Sequence, residues 1–104
     1  MPLGRTKYRA VRCNGYASKR EARIASELEI LERVGKITNL NKQVSYALLP
    51  AAEGYPRPLR YVADFTYMDG GEVVVADAKG FKTPVYLIKK RLMRQLLGIE
   101  ITEL

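Results

Sequence analysis

Two strand-like runs joined by a pair of glycines are the feature that most restricts how this chain can fold. They lie in residues 61–80, YVADFTYMDGGEVVVADAKG, with Gly70-Gly71 between the runs. A Gly-Gly pair that separates runs of β-branched and aromatic residues predicts a β-hairpin with a two-residue turn. The turn then fixes which residues of the two strands stand opposite each other.

Two acidic side chains face each other inside this predicted hairpin. Asp69 pairs with Glu72, so the numbers of opposed residues sum to 141. On that register Asp64 lies directly opposite Asp77, and like charges at such a distance destabilise a sheet. Lys79 is two residues beyond Asp77 and therefore shares the same face.

The neighbours of the two acids indicate whether their face is solvated. The acids' face also carries Val62, Val73 and Val75, and the opposite face carries Tyr61, Ala63, Phe65, Val74 and Ala76. Both faces are largely apolar, which is typical of a central strand covered by helices and argues against ordinary solvated acids. A divalent cation between the carboxylates would offset their repulsion, since Mg²⁺ takes one or two carboxylates plus waters and phosphate oxygens.

The rest of the chain supplies two helices and two further strands. The predicted segments are a helix over 18–34, a strand over 36–49 that bends near 39–41, the hairpin over 59–79, a helix over 84–98 and a final strand over 99–103. Ser18 is a good N-cap, and Gly35 suits the position after the helix end. Pro84 suits the first turn of the second helix, and Gly98 closes it. The sequence thus predicts one α/β domain over residues 1–104 in the order α-β-β-β-α-β.

One acid of the first helix points toward the predicted core. Ile24, Leu28 and Leu31 form an apolar stripe at about 100° per residue, and the direction of Glu21 falls within this stripe. Ser18 and Glu21 also have the spacing of a capping box, in which Glu21 turns back to the Ser18 amide. Capping and a functional carboxylate facing the sheet both stay open at this point.

The second helix combines an apolar stripe with basic residues. Its stripe consists of Val85, Ile88, Leu92 and Leu96, and Lys90, Arg91 and Arg94 lie off it. Such a stripe is typical of a helix face that packs on a core.

Composition narrows the class of protein and its partners. The net charge of +7 favours a polyanionic partner such as nucleic acid, although a merely basic protein is the alternative. There is no histidine and one cysteine, Cys13, so a Cys/His zinc site and Ser-His or Cys-His catalysis are excluded. The sequence has no apolar run of about 18 residues and no apolar leader near its start, so we expect a cytoplasmic protein.

The N-terminal segment is strongly basic. Residues 1–17 carry no acid, and their basic side chains are Arg5, Lys7, Arg9 and Arg12. We expect this segment to be an arm that either contacts phosphates or is solvated.

The acids of the hairpin resemble a known nuclease signature. Asp64, followed after twelve residues by Asp77-Ala78-Lys79, is similar to the D…(D/E)-x-K signature of the PD-(D/E)XK nuclease superfamily. Further stretches resemble a small phage-associated branch of it: Ser18-Lys19-Arg20-Glu21-Ala22, Gln43, Tyr61-Val62-Ala63-Asp64-Phe65, Asp77-Ala78-Lys79-Gly80 and Thr83-Pro84-Val85-Tyr86. The resemblance runs from about residue 15 to the C-terminus, and Ala63 replaces the proline of the signature. It implies a restriction-endonuclease-like αβββαβ core, with a mixed central sheet flanked by helices.

The resemblance also implies a role for each residue of the signature. Asp64 and Asp77 would be metal ligands for Mg²⁺ or Mn²⁺, with the Ala78 carbonyl as a third. Lys79 would position or polarise the attacking water and steady the phosphate. Glu21 would complete the acidic cluster, which favours its functional interpretation over capping.

The implied activity is metal-dependent hydrolysis of DNA by an endonuclease. Branched, Holliday-junction-like DNA in phage replication or recombination is among the substrates of such enzymes, and a homodimer is among their assemblies. The cell would be a bacterial host or a phage-infected cell.

Gln43 would line the site or simply pack. Residues expected to hold the DNA backbone, besides the arm, are Lys19, Arg20, Lys82, Lys89, Lys90, Arg91 and Arg94. The alternative is a non-catalytic basic nucleic-acid-binding domain with a nuclease-like fold.

Overall fold

The computed structural model describes residues 18–104 and folds them into a four-stranded mixed sheet with two helices. The elements are α1 (Lys19–Arg33), β1 (Thr38–Leu49), β2 (Leu59–Asp69), β3 (Glu72–Asp77), α2 (Pro84–Leu97) and β4 (Ile101–Glu103). The strands lie in the order β1-β2-β3-β4, with the first two pairs antiparallel and β3–β4 parallel. The predicted element order and the α/β class are confirmed. Neither helix in this part of the chain is long and apolar enough to cross a membrane.

The hairpin between β2 and β3 has the predicted register. Phe65 pairs with Ala76, so the numbers of opposed residues sum to 141. The turn residues Gly70-Gly71 have φ values of 60° and 86°, which glycine adopts without the steric cost of a Cβ. One step further from the turn, this register brings Asp64 level with Asp77, at the end of β3.

Helix α1 packs most of its predicted stripe on one face of the sheet. The cluster there consists of Ile24, Ala25, Leu28, Ile37, Phe65, Tyr67 and Ala76. Ile24 and Leu28 are buried as predicted, but Leu31 is 38% exposed, so the stripe ends one turn earlier than expected. Ser18 is the N-cap, because its Oγ accepts the Glu21 N–H at 3.1 Å.

Helix α2 turns a different face to the sheet from the one that its aliphatic spacing predicts. Val85, Ile88 and Leu96 are 61%, 60% and 46% exposed, so the prediction of a buried stripe is wrong for these three residues, whereas Leu92 is partly buried against the core. The buried residues of α2 are Tyr86 and Met93, which share one helix face. They pack in a second cluster with Leu48, Tyr61, Ala63, Val75 and Ile101. Spacing shows which residues share a face of a helix, but packing decides which face meets the sheet.

The two helices cover opposite faces of the sheet at β3. Val75 belongs to the α2 cluster and Ala76 to the α1 cluster, and successive side chains of a strand point to opposite faces. In β2, Ala63 joins the α2 cluster and Phe65 the α1 cluster, so the expectation that they share a face is wrong. Gln43 of β1 is level with Asp64, which lies between Ala63 and Phe65, and it has a φ of 55°. The sheet therefore departs from regular extended geometry at Asp64 and Gln43.

Candidate functional site

The two acids of the hairpin lie where the β2–β3 ladder ends, and each accepts a main-chain hydrogen bond from the other strand. The Asp64 N–H donates to Asp77 Oδ1 at 2.7 Å, and the Ala78 N–H donates to Asp64 Oδ2 at 3.0 Å. The carboxylates satisfy amides that no longer have a carbonyl partner in the ladder. These bonds fix the orientation of both carboxyl groups, a structural role that the sequence did not indicate.

These main-chain bonds use one oxygen of each carboxylate. The side chain of Asp77 is fully buried, and its Oδ2 has no hydrogen-bond partner among residues 18–104. Burial raises the pKa of Asp77, although the hydrogen bond from the Asp64 amide and the charge of Lys79 oppose this rise. A buried charged oxygen without a partner is costly, and either a proton or a cation next to it removes that cost.

The face of the two acids is covered at one end and open at the other. Val75 is 4% exposed and Asp77 is buried with it, as the sequence predicts. Val62 and Val73 are 47% and 65% exposed, so the expectation of a fully covered apolar face is wrong for them. Asp64 is half-buried, so part of its surface is open to solvent.

Glu21 and Gln43 meet beside the hairpin acids. Glu21 is 7% exposed, and its Oε2 accepts a hydrogen bond from Gln43 Nε2 at 3.1 Å. Gln43 lies in β1 at the level of Asp64, so it links the first helix to the site. No group of three or more Asp, Glu, His or Cys side chains in the described part of the chain has an arrangement that could hold a metal ion. A single ligand set of Glu21, Asp64 and Asp77 therefore stays a prediction.

Lys79 lies against an aromatic ring of α2. Its Nζ is 4.8 Å from the centroid of the Tyr86 ring, within the range of a cation–π contact. The Tyr86 hydroxyl donates to Glu103 Oε2 at 2.7 Å, and the ring lies 6.4 Å from the Tyr61 ring. Burial, followed by the hydrogen bond to the Glu103 carboxylate, raises the pKa of Tyr86, so the hydroxyl keeps its proton.

Glu103 is a fourth carboxylate near the site, which sequence reasoning missed. It pairs with Asp77 in the parallel β3–β4 ladder. Lys82 Nζ lies 2.9 Å from its Oε1, and Lys90 Nζ lies 3.0 Å from its Oε2. The hydrogen bonds from Tyr86 and the two lysines lower the pKa of Glu103 to about 2. The alternation of residues 99–103 predicts a strand, but it gives no sign of which strand lies beside it.

The other residues expected to bind DNA lie in different environments. Lys19 is exposed, Lys89 is half-buried, and Arg20 Nη2 donates to the Leu104 carbonyl oxygen. Lys82 and Lys90 pair with Glu103, as described above. The expected contacts of the arm, Arg5, Lys7, Arg9 and Arg12, lie outside the described residues.

The chain was compared with known protein families, curated proteins and solved structures. Residues 5–100 match a family described as "Protein of unknown function (DUF1064)". The chain belongs to this family. No curated protein and no solved structure matches the chain. In this DUF1064 protein the matched range includes Glu21, Asp64, Asp77 and Lys79, whereas Glu103 lies beyond it.

The low pKa of Glu103 makes a testable contribution to the stability of the DUF1064 protein. A carboxyl group whose pKa falls from 4.5 to about 2 on folding stabilises the fold above pH 4.5. This contribution is lost as the pH falls from 4.5 towards 2. The difference in unfolding free energy between wild type and Glu103→Gln should therefore shrink over this interval, as measured by urea unfolding.

The matched control for this measurement is Glu100→Gln. Glu100 pairs with Arg94 at 3.5 Å, and both side chains are mostly exposed, so a small difference with little pH dependence is expected. An equally constant difference for Glu103→Gln would show that the Glu103 cluster does not stabilise the fold through its charge.

Proposed function

We propose that this DUF1064 protein is a metal-dependent endonuclease that hydrolyses phosphodiester bonds in DNA. The observation that carries the proposal is the buried Oδ2 of Asp77, which has no hydrogen-bond partner among residues 18–104 and lies beside a second carboxylate and a lysine. A purely structural pair of acids needs only the oxygens that accept the Asp64 and Ala78 amides. The main-chain bonds leave one oxygen of each acid for another partner.

The two hairpin acids fit a hard divalent cation. Mg²⁺ is commonly held by one or two carboxylates, with waters and phosphate oxygens completing its coordination. Ligating carboxylates are themselves usually oriented by hydrogen bonds, and the Asp64 and Ala78 amides supply these bonds here. Asp64 and Asp77 would hold the ion, with the Ala78 carbonyl and Glu21 as the further ligands that the superfamily resemblance implies.

The bound ion and the side chains around it would contribute different parts of the hydrolysis. A divalent cation, when bound, lowers the pKa of water and acts as a Lewis acid toward phosphate. Lys79 adds fixed positive charge for the phosphate oxygens on which negative charge develops. The Tyr86 ring restricts where the Lys79 ammonium can lie, and the Tyr86–Glu103 hydrogen bond restricts the ring.

The proposal includes the restriction-endonuclease-like form of the α/β fold. The element order, the mixed sheet and the position of the two acids at the open end of the β2–β3 hairpin support it. A homodimer and a cytoplasmic location stay predictions of the sequence.

The direct test is a cleavage assay on several DNA structures. Purified protein is incubated with end-labelled linear, nicked, flap and four-way DNA, each with Mg²⁺, with Mn²⁺ and with EDTA. We expect internal cuts of at least one substrate in the presence of metal and none with EDTA. DNA binding without any metal-dependent product would favour the alternative, a non-catalytic basic nucleic-acid-binding domain.

Glu21→Gln separates the capping role of Glu21 from a role in the site. Glutamine also suits the third helical position, and the Ser18 cap accepts the main-chain N–H of residue 21, which the substitution keeps. We expect a nearly unchanged melting temperature and cleavage reduced about 10–100-fold, as when a group around a metal site is lost.

The matched control is Glu27→Gln, an exposed acid of the same helix that pairs with Arg23 at 4.0 Å. It should change neither property. A large drop in melting temperature for Glu21→Gln with full cleavage would assign Glu21 to capping alone.

A further inference from the structure

A groove beside the candidate site runs along α2. It encloses about 550 Å³ and is lined by Leu87, Lys90, Arg91, Arg94, Gln95 and Glu100. Three of these six side chains are cations and one is a carboxylate. Arg94 of the groove lies on the opposite side of the helix from the exposed Val85.

The one carboxylate of the groove neutralises it weakly. Glu100 is 3.5 Å from Arg94 Nε, with side chains 66% and 74% exposed, and such exposed pairs contribute about 0–1 kcal/mol. Arg91 is also exposed. A nucleic acid strand, which presents several negative charges in a row, can therefore replace Glu100 as the partner of Arg94. Guanidinium groups favour phosphate, because their N–H groups donate in pairs to its oxygens.

Lys90 connects this groove to the candidate site. Its Nζ bonds to Glu103, and Glu103 pairs with Asp77 across the β3–β4 ladder. Arg94 lies one helical turn further along α2, about 6 Å along the axis. The groove thus extends from the hairpin acids along α2, with Lys90 on one turn of the helix and Arg94 on the next.

We propose that the α2 groove binds the sugar-phosphate backbone of a nucleic acid strand on one side of the bond to be cut. The inference rests on the proposed function for the position of the cut, but binding to the groove can be tested without it. The contacts are to phosphates, so they should be independent of base sequence and sensitive to salt.

The first experiment compares two double variants in metal-free binding assays. Arg91→Gln/Arg94→Gln removes two cations from the groove, and Arg33→Gln/Lys36→Gln removes two exposed cations at the end of α1. The probe is a fluorescent DNA duplex in EDTA over a series of salt concentrations. Loss of two phosphate contacts should flatten the slope of log affinity against log salt by about 2, and the control pair should leave it unchanged.

The second experiment uses cleavage and shortened substrates. Wild type should cut more slowly as the DNA is shortened on the side that enters the groove, and Arg91→Gln/Arg94→Gln should have lost this dependence. Equal salt slopes for the two double variants would overturn the groove assignment while leaving the nuclease proposal intact. A wild-type protein that binds DNA with a groove-dependent slope but never cuts it would overturn the nuclease proposal alone.

The same binding assay distinguishes nucleic acid from an acidic protein partner. Polyglutamate is added as a competitor at equal total charge, and we expect it to displace DNA poorly. Duplex DNA carries one negative charge per about 1.7 Å of its axis and releases condensed counterions when a protein binds it, which a flexible polyglutamate chain does less. Displacement as effective as that by unlabelled DNA would overturn the assignment to nucleic acid. Failure of wild type to bind the linear duplex and also the nicked, flap and four-way DNA, at any salt concentration, would overturn both proposals.

Discussion

Asp77→Asn is expected to abolish metal-dependent cleavage and, at the same time, to make the metal-free protein more stable. The asparagine Oδ1 can still accept the Asp64 amide, so the main-chain bond is kept. The buried negative charge is lost, and a neutral amide costs less to bury than an unpaired carboxylate. The gain should be about 0.5–1 kcal/mol, the order of a like-charge cross-strand pair.

Stabilisation by added metal should be larger for wild type than for Asp77→Asn, the opposite of their order of stability without metal. A ligand that binds only the folded state stabilises it by about 2.7 kcal/mol at 100 times its Kd. Wild type should therefore melt at a higher temperature with millimolar Mn²⁺, and Asp77→Asn should shift much less. Calorimetry with and without metal measures both effects on the same samples.

Asp69→Asn is the matched control, since Asp69 is an exposed acid of the same hairpin and pairs with Glu72. It should leave cleavage and the Mn²⁺ shift unchanged. If wild type shows no Mn²⁺ shift, and Asp77→Asn is less stable than wild type without metal, then Asp77 is structural and the nuclease proposal loses its main physical support.

Lys79→Met is expected to reduce cleavage about 10²–10³-fold, the range observed when one group that stabilises developing charge is removed. Methionine keeps much of the apolar stem against the Tyr86 ring but loses the cation–π contact. The hairpin acids are unchanged, so the stabilisation by Mn²⁺ should persist. This combination of lost cleavage with retained metal binding distinguishes Lys79 from the acids.

Lys36→Met provides the comparison for Lys79→Met, because Lys36 is exposed between α1 and β1. It should cut at the rate of wild type. Single-turnover rates and thermal melts with Mn²⁺ measure the two properties. A Lys79→Met protein that cuts normally would remove Lys79 from the mechanism, and one that loses the Mn²⁺ shift would place Lys79 in metal binding instead.

Local rules of the sequence determined the hairpin and the ends of the helices. The register follows from Gly70-Gly71, since a two-residue turn leaves one way to pair the flanking strands. Ser18 begins α1 and Gly98 ends α2 as expected, because capping depends on residues within one turn of the helix end. The burial of Glu21 was also predictable, since it shares a helix face with the aliphatic residues.

The sequence left open which segments meet across the sheet. Gln43 donates to Glu21 only because α1 lies over β1, and Glu103 reaches Asp77 only because β4 adds parallel to β3 after α2 crosses over. No spacing rule links residues so far apart in the chain. Such contacts follow from how whole elements pack.

The rotation of α2 was likewise decided by tertiary structure. The aliphatic stripe predicted one buried face, yet Tyr86 and Met93 face the sheet instead. Tyr86 buries its ring beside Tyr61 while its hydroxyl bonds to Glu103, so this face satisfies both apolar and polar groups. Periodicity alone fixes the faces of an isolated helix, whereas the surface that it packs against selects among them. That selection brings Tyr86 to Lys79 and leaves the α2 groove beside the candidate site.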